Sequence, residues 1–140
     1  MAKKGKITGI GGVFFKCKDP NTMRKWYHEN FGLSDDKHGH PFLWKQWEDP
    51  TKNGYTAWNA FDDKSDYFEP SKQKYMINYR VENLEELLQE LKDAGVTVVG
   101  QIESYDYGKF GWALDPEGNK IELWEPVDSV FTQMGGETTK

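Results

Sequence analysis

The residues of this sequence best suited to chemistry lie near its end, in the segment DPEGNKIELWEP, residues 115–126. This segment carries two carboxylates, Glu122 and Glu125, behind a turn rich in Asp, Pro, Gly and Asn. Successive side chains of a strand point to opposite faces, so Glu122 shares a face with Trp124 while Glu125 lies on the other. The pattern therefore predicts a pocket-facing Glu122 and a solvated Glu125, with the turn explained by backbone geometry alone.

Glu122 admits two interpretations. In a pocket lined by aromatic rings, its carboxylate is a candidate general acid or base, or the partner of a cationic ligand. On the surface, it would simply pair with Lys109 or Lys120. The face shared with Trp124 favours the pocket.

The histidines and the cysteine give weaker signals. His38 and His40 have an H-x-H spacing that can bind a metal, but the neighbouring Asp and Gly residues indicate an ordinary polar loop, and the role of this loop stays open. His28 falls on a predicted helix and is interpreted as a surface residue. Cys17 is the only cysteine, so it cannot form an internal disulfide, and we interpret it as a small buried hydrophobe.

Aromatic side chains are abundant, with six Trp, seven Tyr and eight Phe among 140 residues. This exceeds what a core of this size needs, which predicts that some of them line a cavity or an interface. The alternative is that they form ordinary core, and Tyr105 and Tyr107 beside Gly108 are either a lid or a plain turn. The candidate ligand-binding residues are Trp44, Trp58, Met76, Asn78, Tyr105, Tyr107, Trp112 and Trp124.

Composition excludes several classes of function. The net charge of −5 argues against nucleic acid, whose phosphates require a basic face. No apolar run approaches the roughly 20 residues of a membrane span, and no signal-peptide core follows Met1. We therefore expect a cytoplasmic protein with a small-molecule ligand and no membrane partner.

Local signals predict two helices and several strands. Asp19 as N-cap and Pro20 begin the first helix, and Gly32 ends it. The second helix lies in residues 82–95, where Asn83 and Glu86 have the spacing of a capping box and Gly95 follows as C-cap. Strands are predicted at residues 7–18, 41–49, 54–62, 75–81, 96–102, 109–115 and 120–126.

The two halves of the chain repeat the same order of elements. Aligning the end of each first strand and the helix after it places Cys17 over Val81 and Asp19 over Asn83. This predicts an α+β fold of two βαβββ modules, which must pack together or curl around a cleft to cover the sheet. The predicted boundaries are a flexible N-terminus at 1–6, a single domain at 7–127 with modules at about 7–63 and 74–127, and a flexible tail at 128–140.

These segments resemble the vicinal oxygen chelate superfamily, which is also called the glyoxalase/bleomycin resistance/dioxygenase superfamily. The resemblance spans roughly residues 7–127, and the turn with the strand IELWEP is its most specific part. It implies paired βαβββ modules forming a half-open barrel around a site, and a homodimer. Metal-using members hold the ion with four side chains in that barrel, and the last is typically the Glu of the IEL triplet, which matches Glu122.

Carried over to this sequence, the four ligand positions are Gly12, Trp58, Met76 and Glu122. Only the last can bind a hard or borderline cation, and a catalytic metal needs at least three such side chains. The resemblance therefore predicts neither a catalytic metal nor another cofactor, which disfavours glyoxalase I and ring-cleaving dioxygenase activities.

Three classes of function remain. The favoured one is a metal-free protein that binds a small aromatic or cationic molecule in a Trp-rich barrel, as the antibiotic-resistance branch does. The second is a metal-dependent lyase or isomerase resembling lactoylglutathione lyase, with Glu122 as base. The third is a non-catalytic structural module whose cavity is packed shut.

Overall fold

The computed structural model describes residues 5–127, and in them two helices and seven strands follow the predicted order. The predicted tail at 128–140 and residues 1–4 of the predicted flexible N-terminus lie outside the described residues. Lys6 is an exception to that N-terminal prediction, because the first strand already begins there. The elements are β1 (Lys6–Cys17), α1 (Pro20–Phe31), β2 (His40–Lys45), β3 (Asn53–Asp62), β4 (Tyr75–Glu82), α2 (Leu84–Asp93), β5 (Val98–Tyr105), β6 (Gly108–Leu114) and β7 (Lys120–Pro126).

The strands of the described chain form one curled sheet in the order β2-β3-β1-β4-β7-β6-β5. The two halves join where β1 runs antiparallel to β4, while β1–β3 and β4–β7 are parallel pairs. This is the α+β arrangement of paired modules that the sequence predicts. The first half differs in having two strands after its helix, so it is a βαββ unit, and residues 63–74 connect it to β4.

Helix α1 begins and ends as its sequence predicts. Asp19 accepts a hydrogen bond from the Thr22 backbone N–H at 3.1 Å, Pro20 is the first helical residue, and Gly32 ends the helix with a φ of 76°. Buried Arg24 holds the helix to β3 by donating hydrogen bonds to Asn59 Oδ1 and the Ala60 carbonyl, both at 3.1 Å. A local cap and a long-range bond thus position α1.

Helix α2 is capped differently from the prediction. Asn83 has a left-handed conformation with a φ of 53° and makes no side-chain cap, so the capping box with Glu86 does not form. Glu125 takes that role, since its Oε1 accepts the Leu84 backbone N–H at 2.8 Å. The prediction of a solvated Glu125 is therefore wrong, because this carboxylate reaches the start of α2 and offsets the partial positive charge there. Gly95 follows the helix with a φ of 85°, a conformation that favours glycine.

Replacing Glu125 by Ala is expected to lower the free energy of unfolding by about 1 kcal/mol, the usual cost of losing a helix cap. Urea unfolding of the variant measures this loss. Glu117→Ala is the matched control, because Glu117 is an exposed carboxylate in the turn before β7. Equal stabilities of the two variants would contradict the capping role.

The sheet has two chemically different faces. On the outer face, Leu84 and Leu88 of α2 pack with Val81 and Leu123 in the main apolar cluster. Helix α1 covers the same face, with Tyr27 against Phe15 and Trp58. The opposite face, here called the inner face, carries Met76, Asn78, Glu122 and Trp124. No helix within residues 5–127 is long and apolar enough to span a bilayer.

Candidate functional site

Glu122 is the centre of the inner face and is only 3% exposed. Its Oε1 accepts a hydrogen bond from Asn78 Nδ2 at 2.7 Å, and its Oε2 accepts one from Trp112 Nε1 at 2.9 Å. The hydroxyl of Tyr67 donates to the same Oε2. Asn78 and Trp112 stand beside Glu122 because their strands pair with β7 at these residues. As the alternation predicts, the side chain lies on the face of Trp124, inside the protein.

Tyr67 belongs to the connection 63–74, which the sequence analysis treats as a polar loop, and its role is missed there. The available signal is the adjacent pair Tyr67-Phe68 inside an otherwise polar segment. Phe68 is fully buried, and the Tyr67 ring stacks on Phe61 with centroids 5.7 Å apart. Burial, together with the charge of Glu122, raises the pKa of the Tyr67 hydroxyl well above its usual range. Tyr67 therefore stays protonated and acts as a donor to Glu122.

The lysines that the surface interpretation would pair with Glu122 have other partners. Lys109 Nζ pairs with Glu85 at 3.0 Å. Lys120 Nζ donates to the Tyr67 carbonyl at 2.7 Å and lies over the rings of Tyr67 and Trp112, 5.2 and 5.7 Å from their centroids. Desolvation lowers the pKa of Lys120, and the charge of Glu122 acts in the opposite direction. Within residues 5–127, Glu122 forms no ion pair, so the surface interpretation is wrong.

A second group of aromatic side chains extends from Glu122 along the inner face. The guanidinium of buried Arg80 lies between Trp44 and Trp124, 5.0 and 5.5 Å from their ring centroids. Trp124 stacks on Phe110 with centroids 5.9 Å apart, and its Nε1 donates to the Tyr107 carbonyl at 3.0 Å. Trp44 and Trp124 thus both contact Arg80, a residue that the site prediction lacks, and Tyr107 meets Trp124 on its other side.

The glycines of β1 make room for this group. A Cβ on Gly11 would lie 2.2 Å from Asn78 Oδ1 and 3.0 Å from Trp124 Cε3. Asn78 Oδ1 is buried without a hydrogen-bond partner, because its amide is oriented by the bond to Glu122. A side chain at Gly11 would therefore disturb the neighbours of Glu122.

Of the other predicted site residues, Met76 and Tyr105 lie with the inner-face group and Trp58 lies on the outer face. Met76 is buried on the inner face, two residues from Asn78. Tyr105 is half exposed and stacks on Tyr107 with centroids 5.3 Å apart, at the end of the aromatic row. Trp58 lies on the outer face, 4.8 Å from the Tyr27 ring of α1, so the prediction that it lines the site with Glu122 is wrong.

This error has a physical cause in the strand register. Gly12 pairs with Ala57 in β3 and with Asn78 in β4, and Asn78 pairs with Glu122 in β7. Asn78, rather than Met76, is therefore the β4 side chain beside Glu122. In β3, Ala57 rather than Trp58 pairs with Gly12, so Trp58 is the next residue along the strand and lies on the opposite face of the sheet.

The donors around Glu122 do not fit a divalent metal. Its carboxylate oxygens are occupied by the N–H and O–H groups of Asn78, Trp112 and Tyr67 rather than facing other anionic or imidazole ligands. In the part of the chain that the structure describes, no three His, Cys, Asp or Glu side chains group closely enough to hold a metal. The chemistry of this donor set suits an isolated carboxylate and not a metal centre.

The histidines of the H-x-H motif point to separate partners. His38 is exposed and pairs with Asp36 at 2.9 Å. His40 is buried, and its Nδ1 accepts the Ser34 backbone N–H at 2.9 Å. Cys17 is buried, and burial raises the pKa of its thiol, which fits a structural cysteine.

Comparisons with known proteins agree with this architecture. A methylmalonyl-CoA epimerase from Mycobacterium tuberculosis is similar over 94% of this chain and 97% of its own, with 20% identity and a TM-score of 0.55. A variant of the Streptomyces coelicolor methylmalonyl-CoA epimerase is similar over 87% and 99%, with 12% identity and a TM-score of 0.60. A glyoxalase/bleomycin resistance protein/dioxygenase superfamily member from Vibrio splendidus 12B01 is similar over 83% and 97%, with 14% identity and a TM-score of 0.51.

At these identities the solved structures show a shared fold and no more. No curated protein matches the sequence. The family model described as a glyoxalase-like domain matches residues 12–124, which includes Glu122 and most of the sheet. The chain therefore belongs to the glyoxalase-like domain family of the vicinal oxygen chelate superfamily.

Proposed function

We propose that this protein binds a small aromatic cation on its inner face, without a metal, and that Glu122 recognises the positive charge. The observation that carries the proposal is a buried carboxylate whose hydrogen bonds come only from the neutral groups of Tyr67, Asn78 and Trp112. A buried charge is costly unless it is paired, and a cationic ligand would supply the missing countercharge.

The surroundings of Glu122 favour a flat ligand. The rings of Trp112 and Tyr67 meet edge to face with centroids 6.3 Å apart, and Phe61 stacks on Tyr67. Aromatic faces attract cations, and their attraction is strongest where water is excluded. Lys120 Nζ already lies over both rings, so a planar cation that pairs with Glu122 would take the place of this ammonium group on the ring faces.

Tyr67 is the donor that such a ligand would replace. Asn78 and Trp112 are buried side chains of strands β4 and β6, so close packing restricts their movement. Tyr67 lies in the connection 63–74 and is partly exposed, so its hydroxyl can leave Glu122 without disturbing a strand. A donor N–H of the ligand would then take its place on Glu122 Oε2.

A second candidate function is acid–base catalysis by Glu122. The hydroxyl of Tyr67 and the carboxylate of Glu122 are hydrogen-bonded, so a proton taken from a ligand by Glu122 has a neighbouring oxygen with which to share it. The fold is similar to that of methylmalonyl-CoA epimerases, so epimerisation is the reaction class that we assign to this candidate. Incorporation of deuterium from heavy water into a bound acyl thioester would distinguish catalysis from simple binding.

We also propose that the protein is cytoplasmic and forms a homodimer. A single cysteine fits a reducing compartment.

Thermal unfolding with a panel of planar aromatic cations, each paired with a neutral isostere, tests the binding proposal. At a free ligand concentration of a hundred times Kd, the free energy of unfolding should rise by about 2.7 kcal/mol. We expect this shift for cations only, and we expect it to persist after treatment with a chelator. One zinc, nickel or iron per chain, with binding lost on chelation, would contradict the metal-free proposal.

A further inference from the structure

The inner-face site carries a positive charge as well as the negative charge of Glu122. Lys120 precedes Glu122 by two residues in β7, so alternation places both side chains on the same face of this strand. A strand advances roughly 3.4 Å per residue, which separates the two Cα atoms by about 7 Å. The site therefore has two ends of opposite charge on one strand.

Tyr67 and Trp112 connect these two ends. Their polar groups, the Tyr67 hydroxyl and Trp112 Nε1, donate hydrogen bonds to Glu122 Oε2. Lys120 Nζ instead lies over their ring faces, 5.2 and 5.7 Å from the centroids. The carboxylate thus stands at the polar edge of the ring pair, and the ammonium group covers the faces. A planar ligand on these faces displaces the ammonium group, whose backbone stays fixed in β7, so Lys120 remains beside the ligand.

Lys120 has no ion pair that would neutralise its charge. In the part of the chain that the structure describes, ion pairs form at Lys6, Lys25 and Lys109 but not at Lys120. The hydrogen bond of its Nζ goes to a neutral acceptor, the Tyr67 carbonyl, at 2.7 Å. An ammonium group has three N–H donors, so further donors remain for an acceptor on a ligand.

The acidic side chains near Lys120 lie beyond ion-pair distance. Desolvation lowers the pKa of Lys120, and the charges of Glu122, Asp66 and Glu103 oppose this effect from longer range. Two further carboxylates border a groove that Lys120 also lines, Asp115 and Glu117. Together these carboxylates repel a simple anion. An anionic group therefore reaches Lys120 favourably only as part of a ligand that also brings a positive charge.

We propose that the ligand of this site is an aromatic zwitterion, with its cationic group on Glu122, its ring on Tyr67 and Trp112, and a carboxylate on Lys120. This inference rests on the proposed function and narrows its ligand class. A zwitterion matches both charges of the site, whereas a simple cation leaves the displaced ammonium group of Lys120 without a new partner. Because the carboxylate of Glu122 and the ammonium of Lys120 lie at different ends of the ring pair, the two charged groups of the ligand lie at opposite ends of its ring.

Isothermal titration calorimetry of the full chain with three matched probes tests this proposal. The zwitterion is para-(aminomethyl)benzoate, its methyl ester keeps the ring and the amine without the negative charge, and para-methylbenzoate lacks the amine. We expect the wild-type protein to bind the zwitterion about five- to tenfold more tightly than the ester, a gain between those of an exposed ion pair and a charge-assisted hydrogen bond. We expect no binding of para-methylbenzoate.

Three variants assign this preference to Lys120. Lys120→Met removes the ammonium group at similar length, so the zwitterion and the ester should bind it equally, while Lys120→Arg keeps the charge and should keep the preference. Lys109→Met is the matched control, because Lys109 pairs with Glu85 and lies opposite Glu125, on the outer face. It should bind both probes as the wild type does. Circular dichroism checks that each variant is folded.

The outcomes separate this inference from the proposed function. Equal affinities of the zwitterion and the ester for the wild-type protein would overturn the zwitterion assignment and leave the cation site standing. A preference that survives in Lys120→Met, or is lost in Lys109→Met, would overturn the role of Lys120. If neither amine probe nor any other aromatic cation binds the wild-type protein or Lys120→Met, the proposed function fails and this inference fails with it.

Discussion

Glu122→Gln is expected to weaken the binding of an aromatic cation by about tenfold to a hundredfold, the loss that follows from removing a charge-assisted hydrogen bond of about 1.5–3 kcal/mol. The amide keeps the size of the side chain but removes the charge that a cation would pair with. Isothermal titration calorimetry with the strongest cation of the panel measures the affinity. The neutral isostere should bind both proteins equally weakly.

Two variants test whether this loss is specific to the site. Tyr67→Phe removes the hydroxyl that competes for Glu122 while keeping the ring on Phe61, so it should strengthen cation binding by several-fold. Glu125→Gln changes another carboxylate of β7 on the outer face and should leave the affinity unchanged. Equal affinities of the wild-type and Glu122→Gln proteins would exclude Glu122 as the recognition group.

Glu122→Gln also requires a check on folding. A carboxylate accepts hydrogen bonds through both oxygens, whereas the Gln amide has one oxygen and one NH2 group. At least one of the three donors around Glu122 would therefore face the NH2 group and lose its hydrogen bond. Urea unfolding gives the free energy of the variant, and binding is compared only where the protein is folded. This separates a lost ligand contact from a damaged site.

Phe68→Ala is expected to lower the free energy of unfolding by about 3–5 kcal/mol, the range for deleting a buried aromatic ring. Phe68 is fully buried, with its ring centroid 5.2 Å from that of Phe61 and 5.3 Å from Lys16 Nζ. Because Phe68 anchors the connection 63–74, its loss should also release Tyr67 from Glu122.

Urea unfolding followed by circular dichroism measures the loss at Phe68. Phe68→Leu should cost less because it retains most of the apolar volume, and Trp47→Ala should change stability by no more than about 0.5 kcal/mol because Trp47 is exposed. A Phe68→Ala protein as stable as the Trp47→Ala control would show that the connection is not anchored in the core.

Features governed by neighbouring residues follow from the sequence. Asp19, Pro20 and Gly32 act on the backbone within one turn, so the start and end of α1 are readable from residue types. The turn before β7 is similar, because Asp115 accepts the backbone N–H groups of Glu117 and Asn119, both at 2.9 Å. The alternation that places Glu122 with Trp124 also depends only on adjacent residues.

Features governed by long-range pairing required the tertiary structure. Trp58 is assigned to the wrong face because the pairing of β3 with β1 places Ala57, not Trp58, opposite Gly12, and this register depends on two strands at once. Glu125 caps α2 because folding brings β7 under the first turn of that helix, across 41 residues of sequence. Neither the face of Trp58 nor the cap of α2 can be predicted from the residues next to it in the sequence.

The sequence by itself determined the order of the elements, the paired halves, and the presence of one inward carboxylate in the last strand. The tertiary structure alone decided what surrounds that carboxylate. Tyr67 reaches Glu122 across 55 residues, from a connection whose polar composition indicates only a loop. Local preferences act over a few residues, whereas the partners of a buried charge are chosen when the whole chain packs, since an unsatisfied buried carboxylate is too costly to persist.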